Sequence, residues 1–117
     1  MNKIELIKVE KVDEKLLKEI VRRITKVIDP LKIILFGSWA YGKPRRGSDL
    51  DILVIAENNI KSRYDMMVKL YGVLRGILIS KDIVVATPRQ VEEWKNVSQA
   101  FITKVVKKGR VIYERKD

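Results

Sequence analysis

The stretch that decides the fold runs Ile33-Ile34-Leu35-Phe36-Gly37-Ser38-Trp39-Ala40-Tyr41-Gly42-Lys43-Pro44-Arg45-Arg46-Gly47-Ser48-Asp49-Leu50-Asp51-Ile52-Leu53-Val54-Ile55. Two short apolar runs bracket a segment rich in Gly and Pro, which predicts two buried strands, 32–37 and 50–56, joined through a turn-rich connection at 42–48. Gly37-Ser38 closes the first strand, and a tight turn with free backbone N–H groups suits a phosphate. Asp49 and Asp51 open the second strand two residues apart, so a strand presents both carboxylates on one side. Paired carboxylates repel unless a cation sits between them or one stays protonated, and oxygen ligands suit a hard divalent cation. Together the turn and the acids point to phosphate chemistry on a nucleotide.

Outward from this segment the chain alternates helical and strand patterns. Leu16, Leu17, Ile20, Val21, Ile24, Val27 and Ile28 form one helical stripe, with Asp13 as N-cap and Pro30 as stop. Residues 1–10 are compatible with a short strand or a loose arm. A second helix is expected over 61–79, with Gly72 and Gly76 marking a close packing contact. A third strand, 82–86, opens on Asp82 immediately before Ile83-Val84-Val85. Thr87-Pro88-Arg89-Gln90 reads as a capping box launching a short helix through Trp94. A last helix is expected from Ser98 to the stop at Gly109, followed by an edge strand at 111–113. The order predicts a single α/β (α+β) domain over 1–117, with a small mixed sheet flanked by helices.

Asp82 extends the argument. If its strand lies beside the second one, Asp82 joins Asp49 and Asp51, and three carboxylates supply enough oxygens for two Mg²⁺ ions. Composition narrows the chemistry further. The chain of 117 residues has no cysteine and no histidine, which excludes thiolate nucleophiles, imidazole bases, disulfides and ordinary zinc sites. Carboxylates, hydroxyls and Lys/Arg remain. Lys and Arg number 25 against 15 Asp and Glu, a formal charge of +10 that favours polyanions or an acidic protein surface. A solvated Lys/Glu-rich surface of a heat-adapted protein accounts for the same excess equally well. No run has the length of a membrane span, and the start lacks a signal-peptide core, so the expected location is cytoplasmic.

Gly37 to Lys43 also spells Gly-x-x-x-x-Gly-Lys, the front of a P-loop. Pro44 stands where that motif needs a Ser or Thr for Mg²⁺ and a residue able to continue a helix, and Trp39 and Tyr41 crowd the loop. The P-loop reading fails on those residues.

Gly37-Ser38, the ten-residue spacer, Asp49-Leu50-Asp51 and the later Asp82 resemble the nucleotidyltransferase superfamily that includes DNA polymerase beta. The flanking text, Leu35-Phe36-Gly37-Ser38 and Gly47-Ser48-Asp49-Leu50-Asp51-Ile52, is similar to its minimal nucleotidyltransferases, many of which are encoded beside a HEPN-domain protein. The resemblance implies transfer of a nucleoside monophosphate, AMP from ATP, to a hydroxyl with release of pyrophosphate. It implies that Asp49, Asp51 and Asp82 are the catalytic and metal-binding residues, for two Mg²⁺ or Mn²⁺ ions, and that Asp82 helps deprotonate the hydroxyl. It implies that Gly37, Ser38 and Ser48 serve the nucleotide. Tyr41 stands where many members carry arginine, so either Lys43, Arg45 or Arg46 supplies the phosphate charge or nucleotide affinity is poor. Trp39 is expected to pack rather than stack on a base.

The implied partners are the nucleoside triphosphate and a HEPN-type toxin, which the chain would modify as its antitoxin; a homo-oligomer is a further option, ranked below them. The alternative is a non-catalytic antitoxin that neutralises its partner by complex formation. A nucleic-acid-binding role through the basic stretches 43–46 and 104–110 ranks lower, because no aromatic ladder interleaves with their charges.

Overall fold

The computed structural model describes residues 6–45 and 47–116. In chain order the elements are β1 (Ile7–Lys8), α1 (Glu14–Val27), β2 (Lys32–Phe36), α2 (Ser38–Tyr41), β3 (Leu50–Ile55), α3 (Arg63–Val73), β4 (Ile77–Leu78), β5 (Lys81–Ala86), α4 (Pro88–Trp94), α5 (Phe101–Lys108) and β6 (Arg110–Glu114). Four strands form a mixed sheet in the order β5-β3-β2-β6, and β1 pairs with β4 in a separate two-stranded parallel ribbon. β2 is antiparallel to both β3 and β6, whereas β3 and β5 run parallel. The mixed sheet flanked by helices is the architecture predicted from the sequence.

Alternation along the strands separates two faces. Ile33, Leu35, Leu50, Ile52, Val54, Ile83 and Val85 pack with Leu16, Leu17, Ile20 and Ile24 of α1 and Leu70 of α3. Ile34, Phe36, Leu53, Ile55 and Ala86 pack on the other face with Val105 of α5. β3 is therefore buried on both sides, which explains its unbroken apolar run after Asp51.

Local signals set most helix ends. Asp13 Oδ1 accepts from the Leu16 N–H at 2.9 Å and caps α1. Thr87 and Gln90 form the reciprocal capping box at α4. Residues 7–8 settle as a strand because Ile7 pairs with Ile77.

Three expectations need correction. The second helix ends at Val73 rather than continuing to 79, and Ile77 and Leu78 form β4. Gly76 takes φ +92°, and Arg23 of α1 donates to the carbonyls of Val73 and Arg75, so the chain leaves the helix there. Apolar spacing alone does not separate a helical turn from a short buried strand. Nor does Gly72 mark a contact, since nothing lies within 4 Å of where its Cβ would stand. The last helix begins at Phe101 rather than Ser98, whose hydroxyl donates to the Gln99 side chain instead of capping.

Candidate active site

The carboxylates gather at one end of the sheet, where β2 finishes and β3 and β5 begin. Asp51 is the register partner of Phe36 on one side and of Asp82 on the other. Parallel in-register strands turn equivalent side chains to the same face, so Asp51 and Asp82 project together. By alternation that face is the one carrying Leu53, Ile55 and Ala86, on which α5 packs. Asp49, two residues before Asp51, is exposed just ahead of β3; Asp82 is also exposed, and Asp51 is half-buried.

Gly37 joins the two halves of the motif physically. Its φ is +75°, and a Cβ there would lie 2.0 Å from Asp51 Oδ2. Any side chain would both strain the backbone and strike the carboxylate. The glycine thus lets Asp51 rest on the turn that leads into α2, a single helical turn that was not predicted. The N–H groups of Ala40 and Tyr41 return to the Gly37 carbonyl at 3.0 and 3.2 Å. The N–H groups of Ser38 and Trp39, ahead of that first bond, have no acceptor within the helix by geometry. Gly42 follows under a second constraint, because a Cβ there would sit 2.9 Å from Ser38 Cα.

The connection 42–48 is tied down from both sides. Trp39 is partly buried against the core, as expected of a packing residue, and its indole N–H donates to the Ser48 carbonyl at 3.2 Å. The Ser48 hydroxyl accepts from the Arg45 N–H at 2.7 Å, and the Ser48 N–H donates to the Arg45 carbonyl at 2.9 Å. Ser48 therefore shapes the turn, while its hydroxyl proton remains available for donation. Lys43 and Arg45 are exposed on this connection; Arg46 lies outside the described residues.

Electrostatics single out Asp51. Burial raises its carboxyl pKa above the ordinary value, and the like charges of Asp82 and then Asp49 add to the rise. Among the described residues no Lys or Arg forms an ion pair with any of the three aspartates. As the side chains stand, no group of three acidic residues among those described closes into a ready-made cage for a cation. Asp51 and Asp82 are adjacent, and Asp49 approaches from the solvent side.

A model of the family described as polymerase beta, nucleotidyltransferase matches residues 18–117. The chain belongs to that family. A Methanocaldococcus jannaschii protein provisionally named a protein adenylyltransferase is 32% identical over 85 residues, which span 70% of this chain and 77% of that protein. The crystal structure of a Sulfolobus solfataricus protein described as a nucleotidyltransferase superposes with a TM-score of 0.61 at 25% identity, covering 87% of this chain and 80% of the other. A crystal structure of a toxin–antitoxin with AMP-PNP gives a TM-score of 0.56 at 25% identity, covering 86% of this chain and 74% of that one.

Two further residues support this candidate site without any signal in the sequence. The Tyr71 hydroxyl, reaching from α3, accepts the Ile83 N–H at 2.9 Å and fixes the peptide next to Asp82. Lys81 Nζ donates to the carbonyls of Ile77 and Ile79 at 2.6 and 3.0 Å, tying the start of β5 to β4. Burial, then the nearby Arg23 charge, lowers the Lys81 ammonium pKa from its ordinary value. Tyr71 sits in an apolar helical stripe and Lys81 among many lysines, so neither pattern marks them in advance.

Proposed function

We propose that this nucleotidyltransferase moves AMP from ATP to a hydroxyl on a partner protein, and that the partner is a HEPN-type toxin which the chain restrains as antitoxin. The observation that carries the reading is the contact of Asp51 with the Gly37 turn while in register with Asp82. It sets the Gly37 turn and an acid pair side by side, which supports phosphate binding next to metal binding. The relative named as a protein adenylyltransferase supports AMP transfer to protein, and the toxin–antitoxin neighbour with AMP-PNP supports both a toxin partner and an adenine nucleotide.

The donor set fits Mg²⁺ or Mn²⁺, because it consists of carboxylate oxygens and the chain contains no His or Cys. Asp49, Asp51 and Asp82 would hold two such ions. Bound there, the ions would offset charge at the α-phosphate and lower the pKa of the attacking hydroxyl.

The chain's own groups supply the rest. The Ser38 and Trp39 N–H groups and the Ser38 hydroxyl would bind the β- and γ-phosphates, with Lys43 and Arg45 adding positive charge. The acceptor oxygen attacks the α-phosphorus in line, the bond from phosphorus to the bridging oxygen breaks, and pyrophosphate leaves with that electron pair. Asp82 takes the hydroxyl proton. The rigid turn and strand register position these groups before the substrate arrives.

Incubation with α-labelled ATP, Mg²⁺ and the protein encoded by the neighbouring gene tests the proposal. Label transferred to the partner by wild type and lost in Asp51→Asn is the expected result. Equal inhibition of the partner by both proteins with no label transferred would replace catalysis by neutralisation through complex formation.

A further inference from the structure

Phe36 stands directly before Gly37-Ser38, is the register partner of Asp51, and is 6% exposed. Phe101, the first residue of α5, meets it in a T-shaped pair with ring centroids 5.3 Å apart and planes at 80°. That geometry is a favourable aromatic contact and fixes the orientation of Phe101. Yet Phe101 is 50% exposed, so much of a rigidly held ring is left open to solvent. It lies on the sheet face toward which Asp51 and Asp82 project, since α5 packs with Ile34, Phe36, Leu53 and Ile55. α5 itself is anchored by the buried Thr103, whose hydroxyl donates to the Trp94 carbonyl. Its remaining charges are Lys104, Lys107 and Lys108, with no acid.

Core packing needs only the part of the ring that touches Phe36, and half of Phe101 lies outside that contact. A flexible aliphatic side chain would serve as well there and expose less fixed apolar surface. What an exposed, immobilised ring offers beside a polyanion site is a face for a planar base. We propose that Phe101 is the stacking platform for the nucleobase of the bound nucleoside triphosphate, with the phosphates directed past Phe36 to the Gly37 turn. The inference rests on the nucleotide-transfer reading and adds to it the subsite for the base. Stacking on one ring is tolerant of base identity because every base has a π-face. The platform therefore makes binding depend on the presence of a base more than on which base it is.

Calorimetric titrations with AMP-PNP and with inorganic tripolyphosphate, both with Mg²⁺, separate base from phosphate. Phe101→Leu keeps an apolar side chain against Phe36 but removes the ring face; Phe101→Trp keeps a ring. The expected result is about tenfold weaker AMP-PNP binding in Phe101→Leu, tripolyphosphate binding within about twofold of wild type, and AMP-PNP affinity retained in Phe101→Trp. Unchanged AMP-PNP affinity in Phe101→Leu, or equal losses for both ligands, would overturn the platform while leaving the nucleotide reading intact. Wild type that binds neither ligand would overturn both.

Discussion

Glu19 and Asp51 are both partly buried carboxylates, and the fold treats them in opposite ways. Glu19 on α1 accepts from Arg22 at 2.6 and 2.8 Å and from Arg23 at 3.3 Å. Those guanidinium groups, led by the Arg22 hydrogen bonds, lower its pKa to about 2. Asp51 has two acids for neighbours instead, and its carboxyl is pushed up. In a chain with 25 Lys and Arg, a half-buried acid with no ion pair among the described residues is not a shortage of cations. Glu19 is neutralised by the chain's own guanidinium groups, whereas Asp51 is crowded by Asp82 and Asp49 at the sheet end.

The widest expected gap between the two is in activity. Asp51→Asn should lower AMP transfer about a hundredfold or more, as loss of a group that organises transition-state charge typically does; Glu19→Gln should leave it within about twofold, read by the same labelling assay. A similar loss in both would erase the distinction. Gly37→Ala is the next largest effect. The positive φ alone costs about 1–3 kcal/mol, and the clash with Asp51 adds to it. Urea unfolding should show that loss of stability, and transfer should fall with it.

Stability and pH sharpen the contrast further. The folded carboxyl of Asp51 titrates above its unfolded value, so its ionised form weakens the metal-free protein at neutral pH. Asp51→Asn should therefore raise the thermal midpoint at pH 7, and the gain should vanish as the pH falls below the ordinary aspartate range. Added Mg²⁺ should raise the wild-type midpoint more than that of the variant. Glu19 has the reverse sign. Its stabilisation is present above about 4.5 and is lost as the pH falls through about 2. Glu19→Gln should cost about 1 kcal/mol or less at pH 7, given the solvent exposure of the pair, with the difference disappearing towards pH 2.

Much of this site could be read before the fold was seen. Gly37, Ser38, Asp49 and Asp51 stand in a fixed spacing between two apolar runs, and their chemistry follows from residue type. Asp82 needed a condition, that its strand lie beside the second, and β5 meets it in register with β3. Ser48 and Trp39 carried a residue type but not a partner; their mutual tie through the Ser48 carbonyl depends on how the connection folds back. Tyr71 and Phe101 were ordinary members of helical stripes. Their importance comes from contacts 12 and 65 residues away in the chain, Tyr71 to Ile83 and Phe101 to Phe36, which periodicity does not encode.

The sequence by itself determined the strand–turn–strand around Gly37, the placing of Asp51 within the strand two residues after Asp49, the capping of α1 and α4, and the absence of any His or Cys for other chemistry. These are local properties, set by backbone preference and side-chain type within a few residues. Only the tertiary structure decided that Asp51 rests on Gly37, that Asp82 stands beside it, that 77–78 leave the helix for a strand, and that Phe101 faces the carboxylates' side of the sheet. Each of those depends on which surfaces pack together, and packing is a property of the whole core rather than of any one stretch.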